Sequence, residues 1–204
     1  VRAHAGRPKL VVFIVVDQLR GDYLDEYEGL LKHGLKRLKS GGAWFRNGAY
    51  PYHATVTCAG HATIGTGTLP YKHGMINNVW YDRATERAIN TTDTDALEVS
   101  YGTSMGAGET ARRMQAPALA EVMRATLKSR VATMSIKARS AITLAGQDGD
   151  FVSWVGDRGS WETSSAYSKT AIPWFAAFVK ANPVVKDADK VWERTLPADK
   201  YKFV

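Results

Sequence analysis

Leu10-Val11-Val12-Phe13-Ile14-Val15-Val16 is an unbroken apolar run, mostly β-branched, and Asp17 ends it. At seven residues it is far short of the roughly 20 apolar residues of a membrane-spanning helix. Its continuity, without polar alternation, predicts a strand covered on both faces, which is how parallel strands lie in α/β folds. The chain therefore reads as α/β, with a central, mostly parallel sheet flanked by helices.

The rest of the 204 residues is compatible with that frame, since 45% hydrophobic and 10% aromatic content can bury a core. No transmembrane span is present in the sequence pattern. The net charge of +7 comes from scattered basic residues with no dense run, so a nucleic-acid partner is not expected. One cysteine, Cys58, excludes an internal disulfide and a Cys-based zinc cluster. Val1–Pro8 suits a flexible leader. No repeat or linker divides the rest of the chain, so residues 1–204 read as belonging to a single domain.

Helical spacing over Tyr27–Leu38 puts Leu30, Leu31, Leu35 and Leu38 on one face, and Gly41-Gly42 should stop that helix. Ala43–Tyr50 reads as a strand and Cys58–Gly65 as a short helix entered from a turn at Thr57. Val79–Tyr81 and Arg87–Asn90 predict a hairpin. Ala118–Leu127 predicts a helix with Pro117 at its start, Val131–Ile136 a strand ending at Lys137, and Phe151–Val155 with Trp161–Tyr167 a strand pair around Gly156–Gly159. Trp174–Ala181, preceded by Pro173, is helical.

Five residues stand where ligands and reacting groups are placed in such folds. Asp17 lies at a strand end, where a carboxylate can hold a divalent cation or simply cap a helix or pair with a base. Thr57 offers a hydroxyl at a predicted helix start; it could be a plain N-cap, or a nucleophile if a base or metal stabilises its alkoxide. Asn78 fits either a turn or a hydrogen-bond donor to an oxyanion. Lys137 and Arg139, two apart on extended backbone, would project to one side and could meet one dianion. Two other anion sites fail on sequence. Gly60-His61-Ala62-Thr63-Ile64-Gly65-Thr66 has a nucleotide loop's glycine spacing but threonine where lysine is required, and Cys58 lacks the arginine six positions on that a cysteine phosphatase needs, Ile64 standing there. His53, His61 and His73 read as structural, and Trp154, Trp161 and Tyr167 as packing groups.

In order and spacing, Asp17, Thr57 within Thr55-Val56-Thr57-Cys58-Ala59-Gly60, Asn78 within Asn77-Asn78-Val79-Trp80, and Lys137-Ala138-Arg139 resemble the alkaline phosphatase superfamily. Within it they are most similar to the bacterial periplasmic phosphate-monoester hydrolases that use a threonine nucleophile and two zinc ions. The resemblance runs from about Lys9 to about Ala166. It implies that Thr57 is the nucleophile, forming a phosphothreonine, and that Asp17 and Thr57 are ligands of one zinc. Asn78, Lys137 and Arg139 would bind the substrate phosphate. Two Zn2+ ions are implied, most of whose ligands should lie outside this segment, because no histidine follows His73. The segment is then the N-terminal portion of one catalytic domain, expected to be inactive by itself. Phosphate monoesters are the implied substrates and a periplasmic or secreted location the implied compartment. A phosphodiesterase or nucleotide pyrophosphatase of the same superfamily would keep Asp17 and Thr57 without needing Lys137 and Arg139. A sulfatase or phosphomutase relative and a non-catalytic anion-binding module are the remaining alternatives.

Overall fold

The structure is a computed structural model that describes residue 6 and residues 8–102, 106–183, 186, 189–191 and 193–200. Residues 1–5 and 7 of the expected leader lie outside the described residues. Two compact units are formed, Val1–Thr57 and Cys58–Val204.

The first unit is held by charge and aromatic contact, and none of its described residues is fully buried. It contains α1 (Tyr23–Glu26), a 3-10 turn at Glu28–Leu30 and α2 (Gly34–Gly41). The single helix expected over Tyr27–Leu38 is thus broken: Leu31 is extended at φ −74°, ψ 107°. Gly29 and Gly34 flank that break, and glycine is a poor helix former. The expected stop is where the sequence puts it, because Gly42 donates its N–H to the Leu38 carbonyl and a Cβ there would lie 2.6 Å from that oxygen. Lys39 is the hub. Its ammonium donates to the Leu24 carbonyl (2.8 Å) and Asp25 (2.9 Å), pairs with Glu28 and sits 4.5 Å from the centre of the Trp44 ring. Arg46 reaches the other Asp25 oxygen at 2.7 Å.

Two strand expectations fail in this unit. Leu10–Val16 has no strand pairing among the described residues, and its side chains are open to solvent, Leu10 at 78% and Ile14 at 76%. β-branched composition favours a strand only where a neighbour supplies the ladder and covers the faces, and this unit supplies neither. Ala43–Tyr50 is irregular instead of a strand, with a turn closed by Gly48 N–H donating to the Phe45 carbonyl.

The second unit carries the core. It begins with α3 (Thr57–Thr66), whose first residue falls at the unit boundary, and α4 (Pro70–His73), which ends on Gly74 at φ +77°. The expected hairpin comes next as β1 (Val79–Asp82) and β2 (Arg87–Asn90). A five-stranded sheet is built from β3 (Asp93–Ser100), β4 (Ala107–Glu109), β5 (Ala132–Ser135), β6 (Phe151–Val155) and β7 (Trp161–Ser164), in the order β4-β3-β7-β6-β5. The fold class is α/β as expected, and the sheet is mixed. Among the described strands only β5 and β6 run parallel, linked by the crossover helix α6 (Ala138–Ala145). Helices α5 (Leu119–Leu127) and α7 (Pro173–Ala181) lie close to their expected bounds.

Small side chains let the helices approach the sheet closely. Cys58 and Ala62 of α3, Ala141 and Ile142 of α6 and Val152 and Trp154 of β6 share one buried cluster. α3 meets α6 at Gly65, where a Cβ would stand 2.7 Å from the Thr143 carbonyl oxygen. A second cluster surrounds Phe175, 1% exposed, whose ring lies 4.7–5.9 Å from those of Tyr101, Phe151, Trp161, Trp174 and Phe178. Glu121 ties α5 to the end of α6, accepting from the backbone N–H groups of Ala118 (2.7 Å) and Gln147 (3.0 Å). Gly146 sits under that carboxylate at φ 79°, ψ −151°, a conformation open essentially to glycine alone, and a Cβ there would fall 2.0 Å from Glu121 Oε2. Gly159, at φ +73°, has nothing within 4 Å of such a Cβ. Gly146→Ala should therefore destabilise the protein by about 1–3 kcal/mol from backbone strain, with the displaced Glu121 adding to the loss, and clearly more than Gly159→Ala. Parallel denaturant melts of the two variants check this; equal midpoints would contradict it.

Candidate active site

A helix begins with backbone N–H groups that have no partner inside the helix, and α3 shows where they are aimed. Thr57 opens α3 and is half-buried, and its hydroxyl donates to Asp17 Oδ2 at 3.1 Å within the first unit. Asp17 stands in a turn closed by Leu19 N–H to the Val16 carbonyl, next to Gln18 at φ +60°. The turn exposes the Asp17 carboxylate. A carboxylate and a hydroxyl oxygen side by side fit two of the four donors a tetrahedral zinc takes. Among the described residues no cluster of three or more His, Cys, Asp or Glu side chains is assembled, so this donor pair by itself would supply only part of one metal's shell.

In the second unit, Asn78 Oδ1 accepts the N–H of Cys58 at 2.9 Å. That contact orients the amide, leaving Nδ2 as the donor on the other side of the group. Asn77 instead turns its Oδ1 to the backbone N–H of Asn78 (2.8 Å), so the two neighbours are told apart by what they touch. Lys137 and Arg139 occupy the junction of β5 with α6. Lys137 is the N-cap, extended at φ −110°, ψ 133°, whereas Arg139 lies in the first turn of the helix. The two-residue strand period expected for the pair therefore does not govern it; the strand-to-helix junction does. Arg139 is half-buried and forms no ion pair among the described residues, but its charge favours the ionised forms of both Cys58 and Glu109. Burial outweighs that help at Glu109, whose carboxyl is raised above its ordinary range and takes a hydrogen bond from Thr92.

Cys58 is no competitor to Thr57. It is fully buried, and desolvation pushes its thiol up to about 12 against the opposing effects of Thr91 and Arg139. His73, also fully buried, is spent on the fold: the Met75 N–H donates to Nδ1 (3.1 Å), so Nε2 carries the proton and meets Thr63 Oγ1 (3.1 Å). Burial lowers its pKa. Trp154 is core, Trp161 packs on Phe175, and Tyr167 donates to the Gly146 carbonyl (2.9 Å) while accepting from the Ala111 N–H (3.2 Å). Two neighbours of these groups carry no sequence signal, Thr91 and Glu109. Each is polar, Thr91 just beyond β2 and Glu109 at the end of β4, and the sequence distinguishes neither from any turn residue.

Residues 11–193 match the family model described as type I phosphodiesterase / nucleotide pyrophosphatase. The chain belongs to that family. It thereby falls in the alkaline phosphatase superfamily, as the motifs implied. Among curated relatives of this family member, alkaline phosphatase PafA of Elizabethkingia meningoseptica is 32% identical over 200 residues, 96% of this chain and 37% of PafA. Alkaline phosphatase PhoK of Sphingomonas sp is 38% identical over 151 residues, 73% of this chain and 27% of PhoK. The chain thus spans between about a quarter and a little over a third of the length of the relatives it matches. The crystal structure of wild-type PafA superposes with a TM-score of 0.89 at 32% identity, covering 98% of this chain and 39% of that one. A PafA variant of known structure (TM-score 0.85, 28% identity, 91% of this chain and 37% of that one) has a threonine replaced by serine and an asparagine, a lysine and an arginine replaced by alanine. Its threonine and asparagine lie 21 positions apart, as Thr57 and Asn78 do, and its lysine and arginine two apart, as Lys137 and Arg139 do.

The Cys58 thiol sets a pH dependence. Its folded pKa is raised above the ordinary value near 9, so its stabilising contribution is complete below pH 9 and is lost as pH climbs towards 12, where the unfolded thiol ionises first. Cys58→Ala, though less stable from lost packing, should show a shallower decline of stability between pH 9 and 11 than the parent, measured by urea melts at each pH. Parallel declines would remove the thiol from the account.

Proposed function

We propose that the complete enzyme is a zinc-dependent phosphate monoester hydrolase acting through a phosphothreonine at Thr57. The observation that carries this reading is Thr57 at the head of α3 with its hydroxyl on Asp17. Support also comes from the matched residue types and spacings of Asn78, Lys137 and Arg139 in the PafA variant. These residues are read as part of one longer catalytic domain, the remaining metal ligands coming from outside this segment, in a protein of the periplasm or secreted medium.

A threonine hydroxyl is almost wholly protonated near neutral pH and attacks poorly. Asp17 and Thr57 would hold part of a zinc shell, and the ion would supply the Lewis acidity that favours loss of the Thr57 hydroxyl proton. Thr57 Oγ then forms a bond to phosphorus as the bond to the leaving oxygen breaks, the leaving group taking the electron pair. Water displaces Thr57 in the second step and releases phosphate. Asn78 Nδ2 donates to a phosphoryl oxygen, while the Lys137 ammonium and the Arg139 guanidinium balance the charge that persists through both steps.

The family description favours a second reading, hydrolysis of phosphodiesters or nucleotide pyrophosphate bonds. The two differ in charge. A monoester dianion carries one more charged oxygen than a diester, so a cationic clamp serves it more.

In the full-length enzyme, Thr57→Ala should abolish turnover and Thr57→Ser should keep part of it; near-native turnover of the alanine variant would discard Thr57 as nucleophile. Asp17→Asn should lower the zinc content measured by elemental analysis, and unchanged stoichiometry would remove Asp17 from the ligand set. Arg139→Ala loses a charge-assisted hydrogen bond worth roughly 1.5–3 kcal/mol, about ten- to a hundredfold in kcat/KM for a monoester. A diester with the same leaving group should suffer much less. Equal losses on the two substrates would favour the diesterase reading.

A further inference from the structure

Asn78 is the site residue whose orientation depends most on its neighbours, because it extends from a loop between α4 and β1 rather than from a strand or helix. One neighbour holds its backbone. Thr91, fully buried just beyond β2, donates its hydroxyl to the carbonyl of Asn77 and lies 3.0 Å from the carbonyl of Asn78. Its own backbone N–H donates to the Asn78 carbonyl at 3.1 Å. Cys58 in turn gives its N–H to Asn78 Oδ1. A chain of contacts therefore runs from Thr91 to the Asn77-Asn78 backbone and through the Asn78 amide to Cys58 at the head of α3.

We propose that Thr91 is the positioning residue for Asn78, fixing its amide against the Cys58 N–H so that Nδ2 faces the substrate phosphoryl group. The functional half rests on the reading of Asn78 as a phosphate contact; the structural half does not. Thr91 touches no substrate. Without its hydroxyl the carbonyls of Asn77 and Asn78 keep only the Thr91 N–H between them, the loop loosens, and Asn78 alternates between its α3 contact and water.

Thr91→Val removes the hydroxyl at nearly constant volume, and Thr91→Ser keeps it. In the full-length enzyme, Thr91→Val should lower monoester kcat/KM by about three- to thirtyfold, the range for one lost buried hydrogen bond, with Thr91→Ser close to the parent. In an Asn78→Ala background the same change should cost less than about twofold, since the residue to be positioned is gone. An equal loss in both backgrounds would mark a general effect on folding and overturn the proposal. Should Thr91→Val not fold, Thr91→Ala tests the same point. Hydrogen exchange of the Cys58 amide, followed by NMR, should quicken in Thr91→Val and not in Thr91→Ser, and unchanged protection overturns the positioning whatever turnover does. If Asn78→Ala alone keeps parental turnover, the phosphate-contact reading fails while the exchange measurement still decides the role of Thr91.

Discussion

The buried head of α3 constrains what surrounds it. A helix that starts in protein rather than in water must find acceptors for its first amides, because an unpartnered buried N–H costs on the order of 1–3 kcal/mol. Cys58 is fully buried, and its amide is met by a side chain, that of Asn78, instead of by solvent. An amide side chain used this way is held by its oxygen and must present its NH2 elsewhere. A demand of helix geometry thereby fixes the direction of a donor that chemistry can use.

That demand reaches further through packing. α3 lies against α6 at Gly65, close enough that any side chain there would collide with the Thr143 carbonyl, and Cys58 and Ala62 share the core with Ala141 and Ile142. Interiors are packed too densely for one helix to shift without its neighbours. The position of Arg139 in the first turn of α6 is thus coupled to that of Cys58, and its charge is felt at the thiol. Small residues at the contact, uninformative as a hydrophobic pattern, are what allow the approach.

Legibility in the sequence divides along the same line, between local and tertiary causes. The β1–β2 hairpin, α5, α7 and the α3 helix were all readable, because turn residues, prolines and periodicity act locally. β3 was not, since its half-buried positions Thr94, Ala96, Glu98 and Ser100 are polar or small and its buried residue, Val99, falls out of step with them, so no apolar alternation appears. β4 is three residues long, and its Gly108 serves a close approach to Leu97 and Ser164 rather than a propensity. Leu10–Val16 erred in the opposite direction: it has the composition of a central strand and lacks, among the described residues, the partner that would make it one. Asp17, Thr57 and Asn78 could be singled out as candidates because an ordered set of motifs is specific, while Thr91 carries no such signal because its contacts are to the Asn77 and Asn78 carbonyls, distant in sequence.

The adjacent pair Thr57-Cys58 shows why the choice of nucleophile needs the fold. By intrinsic reactivity a thiol should win over a hydroxyl, and a helix N-terminus ordinarily lowers a cysteine pKa further. Here desolvation is the larger effect: with the side chain sealed in the core, the thiol is pushed up to about 12 in spite of Arg139 and Thr91, and at neutral pH it is inert. Thr57, one residue earlier, stays half-buried with its oxygen on a carboxylate. An oxygen nucleophile chosen on those terms cannot ionise unaided, so the exposed Asp17 beside it is more than a hydrogen-bond acceptor in the proposed chemistry. In that proposal it would be one hard ligand for the cation that activates the hydroxyl, and the burial that silences Cys58 leaves Thr57 as the more available of the two groups.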